Sequence, residues 1–393
     1  MKFIFLTLMI TSFLFSQTLQ VASPAKLIIG GEKTYFNPII EKETLYGIYQ
    51  TREKLSQKLV LFSLKDKDLN IPINLGKKNV RFGAIDDSEV FLAPFLTADR
   101  ISNISQEFSD LFGNDEQSIA NFAYTFINAN GKYQIQNSKI ENGIRKILET
   151  NEYTMINFPY LVQDNNSPDI YHSFASSEDG ILCSSSSTAF KDMRELTQPG
   201  PGIQDIGPIL SPDQKYIAFT RVHANKNTTF IIIAKKIYKH GKLNIKIIDQ
   251  IGYDYGIHCQ SPSFSPDSKK IAYYTNVDTK KEIYSIYVYS INNKRKIRVA
   301  QKALRKTIEN RGPTWLDNHI IVYVKHEDQE KYPVYYATLN GIDRPLGIQT
   351  TINKDISVWK RDGYYNMIFT SFGKLGDANK IYNKIFTVKL KRN

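Results

Sequence analysis

Apolar and polar positions alternate in short runs over most of the chain, and small polar turns separate the runs. The clearest stretch begins at Pro262. Residues 262–265 read as a short strand, 266–270 as a turn and 271–276 as a second strand. A polar turn at 277–282 leads to the longest strand, 283–291, and then to a fourth at 297–300. Four strands joined by short polar loops predict one antiparallel meander. The same parse holds for 208–211, 216–222, 228–238 and 243–251.

The two stretches are copies. Pro208-Ile-Leu-Ser-Pro-Asp-Gln-Lys-Tyr-Ile-Ala-Phe-Thr returns 54 residues later as Pro262-Ser-Phe-Ser-Pro-Asp-Ser-Lys-Lys-Ile-Ala-Tyr-Tyr-Thr. A weaker copy starts at Pro313, 51 residues further on, and a fourth near Ile356. The turn residues Ser211, Pro212 and Asp213 recur as Ser265, Pro266 and Asp267. Serine accepts backbone bonds at the first turn position, proline presets φ near −65° at the second, and aspartate suits the third. Their acidic residues are therefore turn chemistry and no catalytic or calcium site. Four-stranded units repeating at this period predict an all-β fold, a β-propeller whose neighbouring blades cover each other's faces. Dividing the roughly 365 residues beyond the N-terminal leader by the repeat gives about seven blades, with six or eight also compatible.

These copies resemble the WD40-like (PD) repeat of TolB-type propellers, whose pattern is P-x-F-S-P-D-G-x-x-I-A-F. Residues 208–220 and 262–275 carry it strongly and 313–324 weakly, with Gln214 and Ser268 standing where the pattern has glycine. The resemblance implies TolB-like repeats over 161–393, but no particular activity, because one fold hosts many functions. Upstream, 170–183 and 82–92 are decayed copies, and 26–160 reads as divergent N-terminal blades or an added domain. Ile104, Phe108 and Leu111 fall near helical spacing, which predicts a helical insertion near 100–123.

Composition fits strands, with 24 Tyr and 22 Phe among 393 residues. The first residues differ: Met1-Lys2 precedes a nearly unbroken apolar run at 3–15, followed by small and polar residues. This is the pattern of a cleavable signal peptide, taken as 1–22, with cleavage after Ser16 or within 22–25. The run is too short for a membrane span of about 20 residues, so no transmembrane segment is expected after cleavage. The expected address is periplasmic, secreted or associated with the cell envelope. Two cysteines in an exported chain invite a disulfide, but the repeat places Cys183 and Cys259 about two units apart, which argues against one.

The net charge of +12 admits two readings. Lysines can blunt strand edges, or a basic face can take an anionic polymer. The densest cluster, 294–306, lacks the interleaved aromatics of a single-strand stacking platform, which argues against nucleic acid.

The motifs of common chemistry are missing. No G-x-S-x-G elbow, H-E-x-x-H, C-x-x-C, phosphate loop or EF-hand loop occurs, and the serine run 184–188 has no flanking glycines. No catalytic residue, metal or cofactor is expected. Propellers bind at the funnel mouth, on loops that feed the innermost strand of each blade. Those loops nominate Asp205, Asp254, Tyr255, His258, Arg311 and Asp355 as binding residues. The leading expectation is a monomeric, exported, non-enzymatic scaffold that contacts a protein partner in the envelope. The alternatives are a lyase-, lactonase- or cyclase-like enzyme acting on a glycan or small metabolite at the mouth, and a binder of anionic polymers through its basic surface.

Overall fold

A computed structural model of the chain describes residues 18–31, 34–40, 46–53, 56–64, 70–73, 91–92, 97–100, 117–127, 133–141, 144–153 and 156–392. Within the last span, 168, 188–189, 253, 279–282, 305–311, 328–330, 351 and 374–381 are not described. The described strands form seven antiparallel sheets that follow one another along the chain, the blades of a β-propeller.

Blade 1 spans 34–73, blade 2 spans 91–153 and blade 3 spans 156–195. In blade 4, Ile203–Leu210, Tyr216–His223, Thr228–Lys239 and Lys242–Ile251 are ordered from the axis outward, and blade 5 repeats the pattern from Cys259–Phe264 to Lys296–Leu304. Blade 6 runs from Thr314–Trp315 to Asp343–Pro345, and blade 7 consists of Ile352–Arg361, Tyr364–Gly373 and Tyr382–Arg392. The expected helix near 100–123 falls mainly on undescribed residues. At its end the chain is extended, since Gln117–Ile127 is a strand of blade 2. The two cysteines are free and buried in different blades.

The core lies between blades. In Thr228–Lys239 the first seven residues are all buried, so the strand shows no apolar–polar alternation. The alternation is in direction instead. Phe230, Ile232 and Ala234 join Phe174 and Ile181 of blade 3, while Ile231 and Ile233 join Phe264 and Tyr273 of blade 5. The same two-sided burial links blade 5 to 6, blade 6 to 7, and blade 7 to blade 1, where Trp359 and Ile368 meet Tyr49 and Phe62. At about 25 cal/mol per Å² of apolar surface this is the main cohesive term.

Within its sheet each described innermost strand has a partner strand on one side only, and several slip register at a proline: Pro38, Pro159, Pro208 and Pro262 lie within such slips. Proline cannot donate to a ladder, so an edge strand with a bulge is where it fits. The residue before it takes a left-handed conformation, with φ of 63° at Gly207 and 52° at Ser261. Its N–H turns to the preceding blade. Gly207 donates to Ser176 Oγ at 3.0 Å and Ser261 to Thr220 Oγ1 at 3.1 Å.

A second set of bonds runs through the Ser-Pro-Asp turns. Within a turn, Ser211 Oγ donates to Asp213 Oδ1 at 2.6 Å, and that carboxylate accepts the Lys215 N–H. Between turns, Asp213 N–H donates to Ser268 Oγ at 2.9 Å and Asp267 N–H to Asn318 Oδ1 at 2.8 Å. Gln214 reaches the other way, its amide bonding Gln163 O and Asn165 N in blade 3. Gln214 and Ser268 hold φ of 58° and 61°, the conformation that a glycine would adopt without strain. Their side chains, 5% and 4% exposed as residues, return that cost as bonds across blades.

The chain ends meet in blade 7. Leu19–Val21 and Lys26–Ile29 both pair with Tyr382–Arg392, with Leu19 opposite Arg392 and buried. This clasp strand lies inside the 1–22 span assigned from sequence to the leader.

Replacing Ser268 separates the two effects. Ser268→Ala keeps the left-handed strain and orphans the Asp213 N–H, so it should cost about 1 kcal/mol. Ser268→Gly loses the same bond but relieves strain of about 1 kcal/mol, and should be near neutral. Denaturant midpoints of the two variants check the ordering.

Candidate functional site

Of the residues nominated for the mouth, Asp205 and Asp355 lie within strands, while Asp254, Tyr255 and His258 share a loop. Asp205 is no loop residue: pairing of the innermost strand begins at Ile203, because the bulge at Gly207-Pro208 lets the ladder continue upstream of the proline. There Asp205 is fully buried and held bidentate by Arg221 of the adjacent strand, Oδ1 to Nε at 2.6 Å and Oδ2 to Nη2 at 2.8 Å. Planar fork and carboxylate match, so the pair ties the innermost strand to its neighbour.

Asp355 is likewise within a strand, Ile352–Arg361. Its φ of 52° puts it at the bulge position that Gly207 and Ser261 hold in blades 4 and 5, and its Oδ2 accepts from Thr370 Oγ1 at 2.8 Å. A short polar side chain tolerates the left-handed region, which accounts for aspartate there. Arg311 lies outside the described residues.

Asp254, Tyr255 and His258 do share a loop. Blade 4 holds it through Asn227 O, which accepts the Gly256 N–H, and Thr228 Oγ1, which donates to Ile257 O at 2.6 Å. Blade 5 holds it through Asn276, which accepts the His258 N–H at 2.7 Å and donates to Gly256 O at 3.1 Å. The result is a fixed loop with a projecting tip, where Tyr255 is 80% exposed. Burial holds the half-buried His258 below its ordinary pKa, so it is neutral at pH 7. This loop can offer an aromatic contact. Among the described residues no group of three or more His, Cys, Asp or Glu is placed to hold a metal ion.

The basic cluster 294–306 is partly neutralised. Lys294 approaches Asp249 at 3.5 Å and Arg298 approaches Asp278 at 3.3 Å. Arg298 and Lys302 line a cleft of about 440 Å³ with Lys325, whose charge is met by Asp343 at 2.8 Å.

Two features escaped the sequence reading. The hairpin of Thr228–Lys239 and Lys242–Ile251 carries Tyr238, Ile247 and Ile248 exposed on the outer edge. Its long β-branched run was visible as strand, but exposure depends on the neighbouring blade. The second is His172, almost completely buried, with Nε2 2.7 Å from Asp164 Oδ2 and Nδ1 2.8 Å from Ser185 Oγ. Lys236 Nζ lies 3.2 Å from Nε2. Ser185 belongs to the serine run 184–188, and only the cross-strand register, His172 opposite Ser185, joins the two. No helix among the described residues is long and apolar enough to cross a membrane.

No family model matches the sequence, and no curated protein matches it. Solved structures do match in shape. Prolyl oligopeptidase B from Galerina marginata superposes with a TM-score of 0.56 at 10% identity, over 91% of this chain and 51% of that one. A prolyl endopeptidase gives 0.53 at 12% identity, over 93% and 50%. The chain thus spans about half the length of these oligopeptidases, and at such identity the likeness concerns the propeller fold alone. An oligogalacturonate lyase in complex with manganese matches at 0.45 and 11% identity, over 82% and 96%, too loosely to bear on function.

If the Asp205–Arg221 pair is structural, Arg221→Ala should cost about 3–5 kcal/mol by leaving a buried carboxylate alone. Replacing both residues by leucine should cost less than the single change. Equilibrium unfolding of the single and double variants measures the difference.

Proposed function

We propose that the chain is an exported propeller of the TolB type that holds a protein partner at the cell envelope. The repeat pattern at 208–220 and 262–275 supports the family, and the apolar run at 3–15 supports export. Removal of the leader then falls ahead of Leu19, after Ser16, because a later cut would delete the buried clasp strand of blade 7.

The observation that carries the partner is the outer hairpin of blade 4. Between 235 and 248 it has five lysines (Lys235, Lys236, Lys239, Lys242 and Lys246) and no acidic residue. Tyr238 is 54% exposed and Ile247 50%. The neighbouring outer strand, Arg194–Glu195, is two residues long, so blade 3 ends before it can cover this surface. An outer edge that keeps exposed aliphatics among lysines is built for contact with an apolar, acidic surface. The mouth loop with Tyr255 offers a second aromatic contact on the neighbouring boundary, between blades 4 and 5.

The test is recovery of partners from envelope extracts by the mature protein and by Ile247→Asn/Ile248→Asn, which keeps the positive charge and removes the apolar surface. A stoichiometric partner should bind the parent and fall at least about 10-fold with the variant, the effect of losing roughly 1.4 kcal/mol. No stoichiometric partner, or equal recovery by both, contradicts the reading.

A further inference from the structure

We propose that Ser185 is a nucleophile, with His172 as its general base and Asp164 as the positioning residue, and that this cluster at the boundary of blades 3 and 4 carries out acyl transfer from an ester. This goes beyond the scaffold reading and does not depend on its partner.

The proton positions follow from the contacts. Asp164 accepts the N–H groups of Asn166 and Ser167 at 2.8 and 3.0 Å, and its carboxyl is held below the usual range although burial opposes this. An ionised carboxylate 2.7 Å from Nε2 requires the proton on Nε2, so the Lys236 ammonium 3.2 Å from that nitrogen makes no hydrogen bond to it and acts on the ring through its charge alone. Burial first, then the Lys236 ammonium, keeps His172 below its ordinary pKa, so the ring is neutral at pH 7. Its Nδ1 must then be the acceptor, and the Ser185 hydroxyl 2.8 Å away must donate to it. That is the poised state of a serine nucleophile: oxygen on a base, base oriented by a carboxylate. The two ring nitrogens exchange roles relative to the familiar Ser-His-Asp arrangement, which is recognised by geometry and roles and not by sequence order.

The serine is also reachable. His172 is 1% exposed as a residue and fixed from both sides, whereas Ser185 is exposed. The reason lies in the sheet. The outer strand of blade 3 pairs Arg194 with Cys183 and stops there, so nothing in that strand covers Ser185, two residues further on. The loop that follows is strained. Phe190 and Asp192 hold φ of 62° and 51°, and Phe190 is buried with its N–H on Ser173 Oγ at 2.8 Å. Left-handed backbone at a bulky residue persists only where surroundings enforce it, and such positions gather at functional sites. Lys236 comes from the hairpin of blade 4, so two blades build the cluster.

The chemistry balances without a cofactor. Ser185 Oγ bonds to the ester carbonyl carbon while its proton passes to His172 Nδ1. The tetrahedral adduct collapses, the bond from carbon to the alcohol oxygen breaks, and the departing alkoxide takes the proton from Nδ1. Water then attacks acyl-Ser185 by the same route, releasing the acid and restoring the serine. An exposed serine suits an acyl group on a small molecule or at the end of a flexible chain.

The experiment treats the mature protein with a fluorophosphonate probe and maps the adduct by intact and peptide mass. One label per chain on Ser185 is expected, with a rate that falls as pH drops through a midpoint below 6.5, where His172 gains its proton. Ser185→Ala, a change at an exposed site, should abolish labelling. Asp164→Asn and His172→Gln should slow it at least about 100-fold, the usual worth of a positioned base. No label on the parent protein, equal labelling of Ser185→Ala, or a rate unchanged from pH 5 to 8 would overturn the proposal.

Discussion

A single blade of this protein is a sheet with two apolar faces, and every blade therefore depends on its neighbours to exist. Ile231 and Ile232 are adjacent in sequence, yet one is buried against blade 5 and the other against blade 3. Apolar contact alone would let blades slide, because it is non-directional. What fixes their register is a polar stitch at two levels. Bulge amides at Gly207 and Ser261 bond hydroxyls of the blade before, and turn amides at Asp213 and Asp267 bond side chains of the blade after. Function inherits this geometry, since the loop carrying Tyr255 and the cluster around His172 are each built from two blades.

The repeat made much of this legible. The strands expected at 216–222 and 283–291 appear as Tyr216–His223 and Ile283–Ser290 because turn chemistry and β-branched runs act locally. What could not be read was set by residues distant in sequence. Asp205 and Asp355 looked like loop polars, and each proved to lie in an innermost strand, extended past a bulge whose left-handed residue no local pattern announces. Gln214 and Ser268 looked like tolerated replacements of glycine, whereas they carry the contacts between blades. No motif marks His172 in the sequence, because its partners come from 8, 13 and 64 residues away.

The site follows the same division. Sequence reasoning nominated the loop 254–258, which two blades hold and which carries an exposed aromatic tip. The polar chemistry lies instead on the outer part of the boundary between blades 3 and 4. Its cause is a length: two residues of outer strand in blade 3 against ten in blade 4. Ile247 and Tyr238 are exposed on the blade 4 hairpin, and Lys236 of the same hairpin reaches the cluster that holds Ser185.

The stitch between blades is tested most directly by native-state hydrogen exchange at the Asp213 and Asp267 amides. Both sit in surface turns, where an N–H facing water would exchange within the fastest class. Bonded to Ser268 and Asn318 of the next blade, they should exchange as slowly as the buried strands, only through global opening. Exchange at the rate of an open turn would contradict the account, because blades held by apolar contact alone would leave these amides free.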